Sequence, residues 1–191
     1  KPVEYHGQWT IRDFKGSSTA GGHPDFNESN PIHVVRGAIR KRLGADRKPI
    51  LKEPAASTFS TKKNFAQWFR NIKGLNKQVP VDFVMKKDAS GLYTYNNDEF
   101  FPIDGQGLKD TKTSLSTGKE HNYYFTLEWH STFRYHGGEE FTFKGDDDLW
   151  VFINGTLAVD LGGVHPVATG TVNLDEFSAG QVQAMRCAEE C

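Results

Sequence analysis

An all-β fold, an antiparallel β-sandwich with long loops and one short helix, is what the sequence predicts, on three observations. Apolar residues recur at every second position along most of the chain, the period of a half-buried strand. Aromatic residues make up 13% of the chain, and 19 Gly and 8 Pro punctuate the runs, a composition that favours strands and turns. Helical period appears in a single stretch. At 191 residues and 37% hydrophobic, the chain is long enough to bury the core of one large all-β domain, placed at residues 1–180.

Taken in order, Tyr5 to Phe14 contains the strand-like run Trp9-Thr10-Ile11, and Gly16 to Gly22 reads as a Gly/Ser loop before order resumes at His23-Pro24-Asp25-Phe26. An EF-hand starting at Asp25 fails, because its twelfth position is Arg36 and its sixth is not glycine. Residues 32–53 are rich in cations (Arg36, Arg40, Lys41, Arg42, Arg47, Lys48) and read as a solvated face rather than a polyanion patch. Between Ser60 and Leu75 the period changes: Phe65, Trp68, Phe69 and Ile72 fall at helical spacing, with Ser60 or Thr61 as N-cap and Gly74 as stop. The helix is therefore placed there, its aromatic stripe facing a core. Alternation returns over Val79 to Met85 and Gly91 to Tyr95, and residues 103–120 read as a polar loop. Tyr123 to Trp129 and Phe133 to Tyr135 read as strands, and His136-Gly137-Gly138 as the tight turn that feeds Phe141.

The chemistry concentrates between Phe141 and His165. Phe141 and Phe143 alternate with Thr142 and Lys144, Gly145 permits a bend, and Asp146, Asp147 and Asp148 follow before the apolar run Leu149 to Ile153. Adjacent carboxylates in a loop between packed strands repel one another and are partly desolvated, so their ionised forms call for a cation. Carboxylate oxygens with no Cys nearby suit calcium better than zinc or copper. Asn154-Gly155 is the pair of a two-residue type I′ hairpin, after which Leu157 to Val159 returns and Asp160 to Pro166 leaves as a Gly-rich loop. A hairpin brings its two open ends together. Asp146 and Asp147 should thus share one edge with the Asp160 to His165 loop, as two walls of a shallow site.

The run KGDDDLWVFINGTLAVDLGGVHP resembles the signature of the fibro-slime domain, a branch of the protective-antigen-type β-sandwich family of adhesins, flocculins and matrix proteins. Arg12-Asp13-Phe14, His23 to Phe26, Phe65 to Phe69, Phe101 to Gly105 and His121 to Thr126 resemble further stations of the same pattern, which together cover roughly residues 9–177. The resemblance implies calcium held by two adjacent aspartates joined by a cis peptide, here Asp146 and Asp147, with the ion in turn chelating neighbouring sugar hydroxyls. Asp148 falls where the wider family often has Gly. In that setting Gly162 and Gly163 would let the backbone approach a ligand closely and His165 could contact a sugar face, whereas Trp150, on a continuous apolar strand, reads as core. Asp160 has two readings, a third calcium ligand or a cap of its own loop. The pattern also expects a closing strand after Phe177, for which Gln181 to Cys191 offers nothing.

No nucleophile elbow, phosphate-cradling Gly-Lys-Ser/Thr loop or His-Glu-x-x-His motif is present, so catalysis is not expected. A formal net charge of −1 gives no reason to expect nucleic acid, and no apolar run nears the length of a membrane span, so direct membrane insertion is not expected. The start at Lys1 fits a mature secreted protein or an excised fragment, and Asn27-Glu28-Ser29 and Asn154-Gly155-Thr156 are glycosylation sequons. An extracellular, secreted or cell-surface location follows. Cys187 and Cys191 stand in a terminal segment, 181–191, as a mutual pair, as free thiols or, preferentially, as the opening of a cysteine-rich module. The expected partners are glycans or glycoproteins of a cell surface or matrix. The rival expectation is self-assembly, or assembly with other matrix proteins, in which calcium only stiffens loops.

Overall fold

The computed structural model describes residues 3–27, 32–54, 56, 58–114 and 117–178. Cys187, Cys191 and the rest of segment 181–191 lie outside these residues, as do positions 28 and 29 of the first sequon. Where one domain was expected, contacts divide the chain into two compact units, each built from two stretches: Lys1–Glu28 with Gln67–Ser131, and Ser29–Ala66 with Thr132–Cys191.

The first unit is organised by a four-stranded antiparallel sheet. Strand β1 (Glu4–Asp13) pairs with β2 (Lys77–Lys87) along its whole length, Glu4 opposite Lys86 and Asp13 opposite Lys77. The short β3 (Tyr93–Thr94) extends the sheet beyond β2. Residues 103–120, read as loop, contain the two-residue β4 (Lys112–Thr113), which pairs with β5 (Glu120–His121). Strand β6 (Phe125–Glu128) closes the sheet beside β1, giving the order β3-β2-β1-β6. The apolar positions of β1 and β2 bury Trp9, Ile11, Val79 and Phe83 with Ile103, and the Trp9 indole stacks on Phe83 at a centroid distance of 4.4 Å.

Beside this core the first unit holds a polar lattice, buried at Arg12, Asp13, Asp25 and Asn122. Arg12 pairs with Glu128 at 2.8 Å, and Asp13, fully buried, accepts from Asn122 Nδ2 and from the Leu108 amide. Asp104 accepts from the Asn122 amide and faces His121 Nδ1, while Asp25 accepts from Trp68 Nε1 at 2.9 Å. Burial first, offset by these bonds from Asn122 and Leu108, pushes the Asp13 carboxyl up. Buried polar atoms are tolerated when each finds a partner, so these residues fix how the loops cross the sheet.

In the second unit, strand β7 (Glu140–Gly145) pairs antiparallel with β10 (Ala168–Asn173), and β8 (Leu149–Ile153) forms a hairpin with β9 (Thr156–Leu161). Asn154 at φ 49° and Gly155 at φ 74° make the two-residue turn, as the Asn-Gly pair predicts. Val159, Leu161, Val172 and Leu174 are buried among Phe141, Phe143, Leu149, Val151 and Ile153. Strand β10 was not legible beforehand, because its inward positions are the small Ala168 and Gly170 before Val172. Gly170 is needed there: a Cβ at this position would lie 2.3 Å from the Val159 side chain.

The helix shrinks to α1 (Lys62–Phe65), a single turn whose N-cap is Thr61, as expected, its hydroxyl accepting from the Asn64 amide. The aromatic stripe is divided: Phe65 is buried in the second unit against Phe59 and Trp150, and Trp68 in the first against Phe26. Two cores cannot be served by one straight helix face. Asn76 satisfies the backbone instead, accepting from the Ile72 amide and donating to the Arg70 carbonyl, with Gly74 at φ 81°. Phe133 to Tyr135 is not a strand. The amides of His136 and Gly137 donate to the Glu139 carboxylate and that of Gly138 to Asp175, so carboxylates, not a ladder, take this backbone.

Candidate functional site

The pairing of β7 with β10 and of β8 with β9 places two connections at one end of the second unit: residues 146–148, from β7 to β8, and residues 162–167, from β9 to β10. They touch, as the hairpin argument requires. The Asp147 amide donates to the His165 carbonyl at 3.4 Å, and the Gly163 amide donates to Asp148 Oδ1 at 2.5 Å. A third segment, which the sequence did not single out, backs the second connection. Val35 pairs antiparallel with Gly162 and Ile32 parallel with Val164, with Val35 and His33 amides donating to the Gly162 and Val164 carbonyls. The adjacent Val34-Val35 was the available signal.

The four aspartates at this end divide into two kinds. Asp160 accepts from Trp150 Nε1 at 3.0 Å and from the Gly37 amide at 2.7 Å, so it holds the indole and the 32–37 segment rather than capping its own loop. Asp148 ties the Gly163 loop. Asp146, by contrast, is exposed and makes no hydrogen bond or ion pair among the described residues. Asp147 is exposed as a residue, yet protein atoms crowd its carboxyl: burial first, then the Asp146 charge, pushes its pKa up, and His165 alone pulls it back.

Three expectations need correction. The Asp146–Asp147 bond is trans, and the cis bond among the described residues is Glu53–Pro54. The chain turns instead through Asp147 at φ 59°, a left-handed conformation that costs about 1–2 kcal/mol against about 3–4 for a non-proline cis bond. His165 does not offer its ring to a ligand. It is 3% exposed, with Nδ1 2.8 Å from the Pro166 carbonyl and Nε2 3.2 Å from that of Leu161, and supports the loop from beneath. Gly162 and Gly163 do allow close backbone approach, but to this chain: a Cβ would stand 2.7 Å from the Val35 carbonyl at Gly162 and 2.6 Å from that of His33 at Gly163. Trp150 packs with Phe59 and Phe65, as a core residue should. Asn154 is exposed at its turn, and Asn27 is exposed as well.

The fit of calcium is tested by these charges. Two adjacent carboxylates without an ion pair among the described residues, one destabilised in its ionised form and relieved only in part by His165, supply hard oxygens of the kind a calcium ion takes. They do not complete a site, for among the described residues no group of three or more His, Cys, Asp or Glu is gathered to hold a metal. Asp146 and Asp147 would hold the ion, with its remaining oxygens drawn from backbone, water or ligand.

Residues 86–185 match the PA14 domain family, whose domains are generally lectin-like β-sandwiches. In Dictyostelium discoideum, Protein psiQ is 40% identical over 169 residues (83% of this chain, 17% of that protein) and Protein psiR 38% over 170 (83% and 17%). Protein psiC is 41% identical over 168 residues (81% and 32%). The chain spans only 17% to 32% of the length of these relatives. No solved structure matches. Because the matched segment takes in β7 through β10 with both connections at the acidic end, the chain belongs to the PA14 domain family.

Proposed function

We propose that this domain is a calcium-dependent carbohydrate-binding module of an extracellular adhesion or matrix protein, of the fibro-slime branch. PA14 domains are often carbohydrate-binding or adhesion-related. The carrying observation is the pair Asp146 and Asp147, without an ion pair among the described residues and relieved only in part by His165, beside the 162–165 loop and inside the family match. Bound there, calcium supplies coordination positions that two neighbouring sugar hydroxyls can take in place of water. Asp146 and Asp147 bind the ion, Asp148 and the Gly163 amide fix the facing loop, and Asp160 fixes the floor through Trp150. The role is binding, not catalysis, and the partners are glycans or glycoproteins of a cell surface or matrix. Glycan addition at Asn154 precedes folding, because Thr156 Oγ1, which the sequon requires, is buried in the finished hairpin.

The ties made by Asp148, Asp160 and His165 favour one second reading, in which calcium stiffens the loops of a self-assembling matrix module with no free sugar site. Calorimetry of calcium, then of mono- and oligosaccharides, on wild type and Asp147→Ala separates them. Calcium binding lost in the variant, with sugar binding seen only in calcium-loaded wild type, is expected. Calcium binding that survives Asp147→Ala refutes the metal assignment, and calcium binding without any sugar binding transfers the conclusion to the second reading.

A further inference from the structure

The cationic stretch set aside above as a solvated face is folded into something more specific. Between residues 32 and 54 the chain carries seven Lys and Arg (Arg36, Arg40, Lys41, Arg42, Arg47, Lys48, Lys52) against two acids, Asp46 and Glu53, in a chain whose formal net charge is −1. This stretch doubles back on itself. Ile39 pairs antiparallel with Leu51, the Arg40 amide donates to the Ile50 carbonyl, the Lys52 amide to that of Ala38, and the Gly44 amide to that of Lys48. Ile39 and Leu51 are 0% and 1% exposed, so the two arms are anchored from beneath, and Arg42 is bridged to Thr156 of β9. Arg40, Lys41 and Arg42 leave one arm, Lys52 leaves the other, Arg47 stands at the bend, and all five are exposed. None of these five makes an ion pair among the described residues.

Like charges carried on facing arms repel, and no ion pair among the described residues relieves these five. A rigid backbone that holds such charges in register loses little entropy when a polyanion binds, and each contact releases counterions from it. Nothing in residues 32–54 is Phe, Tyr or Trp, so there is no surface on which nucleic-acid bases would stack. Within the hairpin, residues 38–52, no large hydrophobic side chain is exposed for insertion into a lipid surface, and the exposed Ile32 lies outside it. What remains is recognition of a chain of anionic groups by charge and spacing alone.

We infer that the hairpin of residues 38–52 is a second, calcium-independent docking site for an acidic polysaccharide, one bearing sulfate or uronate groups. The site is separate from Asp146 and Asp147 and does not rest on the calcium reading.

The test uses dextran sulfate and neutral dextran of equal length, titrated into the protein in EDTA at several NaCl concentrations. Dextran sulfate alone is expected to bind, with log affinity falling linearly in log salt. Neutralising the hairpin with Arg40→Gln, Lys41→Gln and Arg42→Gln together should weaken binding by at least about tenfold at low salt and make the slope shallower by roughly two to three. These are exposed positions, so the melting temperature should not fall, and Asp147→Ala should bind dextran sulfate as wild type does. Unchanged affinity and slope in the triple variant overturn the proposal, as does the absence of dextran sulfate binding to wild type. Equal binding of an oligonucleotide or of anionic phospholipid vesicles at matched charge overturns the assignment to polysaccharide.

Discussion

Asp160→Ala is the substitution with the most definite consequence at this end of the domain. It removes the acceptor for Trp150 Nε1 at 3.0 Å and for the Gly37 amide at 2.7 Å. Hydrogen bonds to a charged group are worth about 1.5–3 kcal/mol each, and Gly37 is exposed, so water replaces part of its loss and the lower figure applies there. The sum is about 3–4.5 kcal/mol. At about 2–4 °C per kcal/mol for a chain of this size, the midpoint should fall by about 6–18 °C. Asp160→Asn keeps one acceptor oxygen and should lose about half as much. Thermal unfolding in EDTA, followed by circular dichroism, reads both without any contribution from metal binding. A midpoint for Asp160→Ala within about 2 °C of wild type refutes the structural role, since no loss so small is compatible with two charge-assisted bonds.

Asp147→Asn should act in the opposite direction: in EDTA the variant is at least as stable as wild type, because it removes a crowded charge beside Asp146, while calcium affinity measured by calorimetry falls at least about tenfold. The pH dependence follows from the sign. Asp147 has a folded pKa raised above 3.8, so the stability it contributes to the chelated protein is complete below that pH and lost as pH rises through the folded value. The advantage of Asp147→Asn in urea unfolding should therefore be near zero at low pH and present at neutrality. Asp175 behaves conversely: bonds from Tyr135 first and Gly138 next hold its pKa below 3.8, so the 133–139 segment keeps that stability at neutral pH and loses it as pH falls below the ordinary carboxylate range, which amide exchange across residues 133–139 would report. Gly163→Ala forces a Cβ to 2.6 Å from the His33 carbonyl at φ 91° and should cost of order 1–3 kcal/mol in denaturant unfolding, with calcium affinity lowered as the loop shifts.

Much of the second unit was legible because its signals are local. Alternation marks Phe141 and Phe143, Asn154-Gly155 fixes the hairpin, and a hairpin dictates that its open ends meet, so the meeting of the two connections is legible in the sequence. What sequence could not convey was which atoms meet. The bonds of Asp160 run to Gly37, 123 positions away in the chain, and nothing local distinguishes that aspartate from one facing solvent. The helix failed for a related reason: helical spacing of Phe65 and Trp68 presumes a single core, and here each residue serves its own. Strand β10 escaped because Ala168 and Gly170 pack closely without registering as hydrophobic. The stations at Arg12-Asp13, Asp25, Asp104 and His121-Asn122 turn out to form one polar lattice of the first unit, buried at Arg12, Asp13, Asp25 and Asn122 and open to solvent at Asp104. Their chemistry is that of folding.

The contrast among the four aspartates is what supports the calcium proposal at the acidic end. Charged groups that stabilise a fold are found with partners, and Asp148 and Asp160 have theirs in the Gly163 amide, the Trp150 indole and the Gly37 amide. Asp147 has the reverse balance. Its backbone occupies a left-handed conformation that glycine would adopt freely, and its carboxyl is crowded by protein atoms and by Asp146. A glycine at 147 would relieve both costs, so neither local conformation nor packing explains an aspartate there. Destabilised groups of this kind gather where a ligand compensates them, and two neighbouring oxygen-only side chains favour a hard cation as the compensating ligand we propose. The same reasoning applied to Arg40, Lys41 and Arg42, exposed and unrelieved on an anchored hairpin, specifies an anion. The second unit therefore carries two charge clusters of opposite sign on which chelator and salt act differently: EDTA should abolish the calcium binding proposed for Asp146 and Asp147 and leave dextran sulfate binding intact, whereas added NaCl should weaken dextran sulfate binding, with its several contacts, far more steeply than calcium binding.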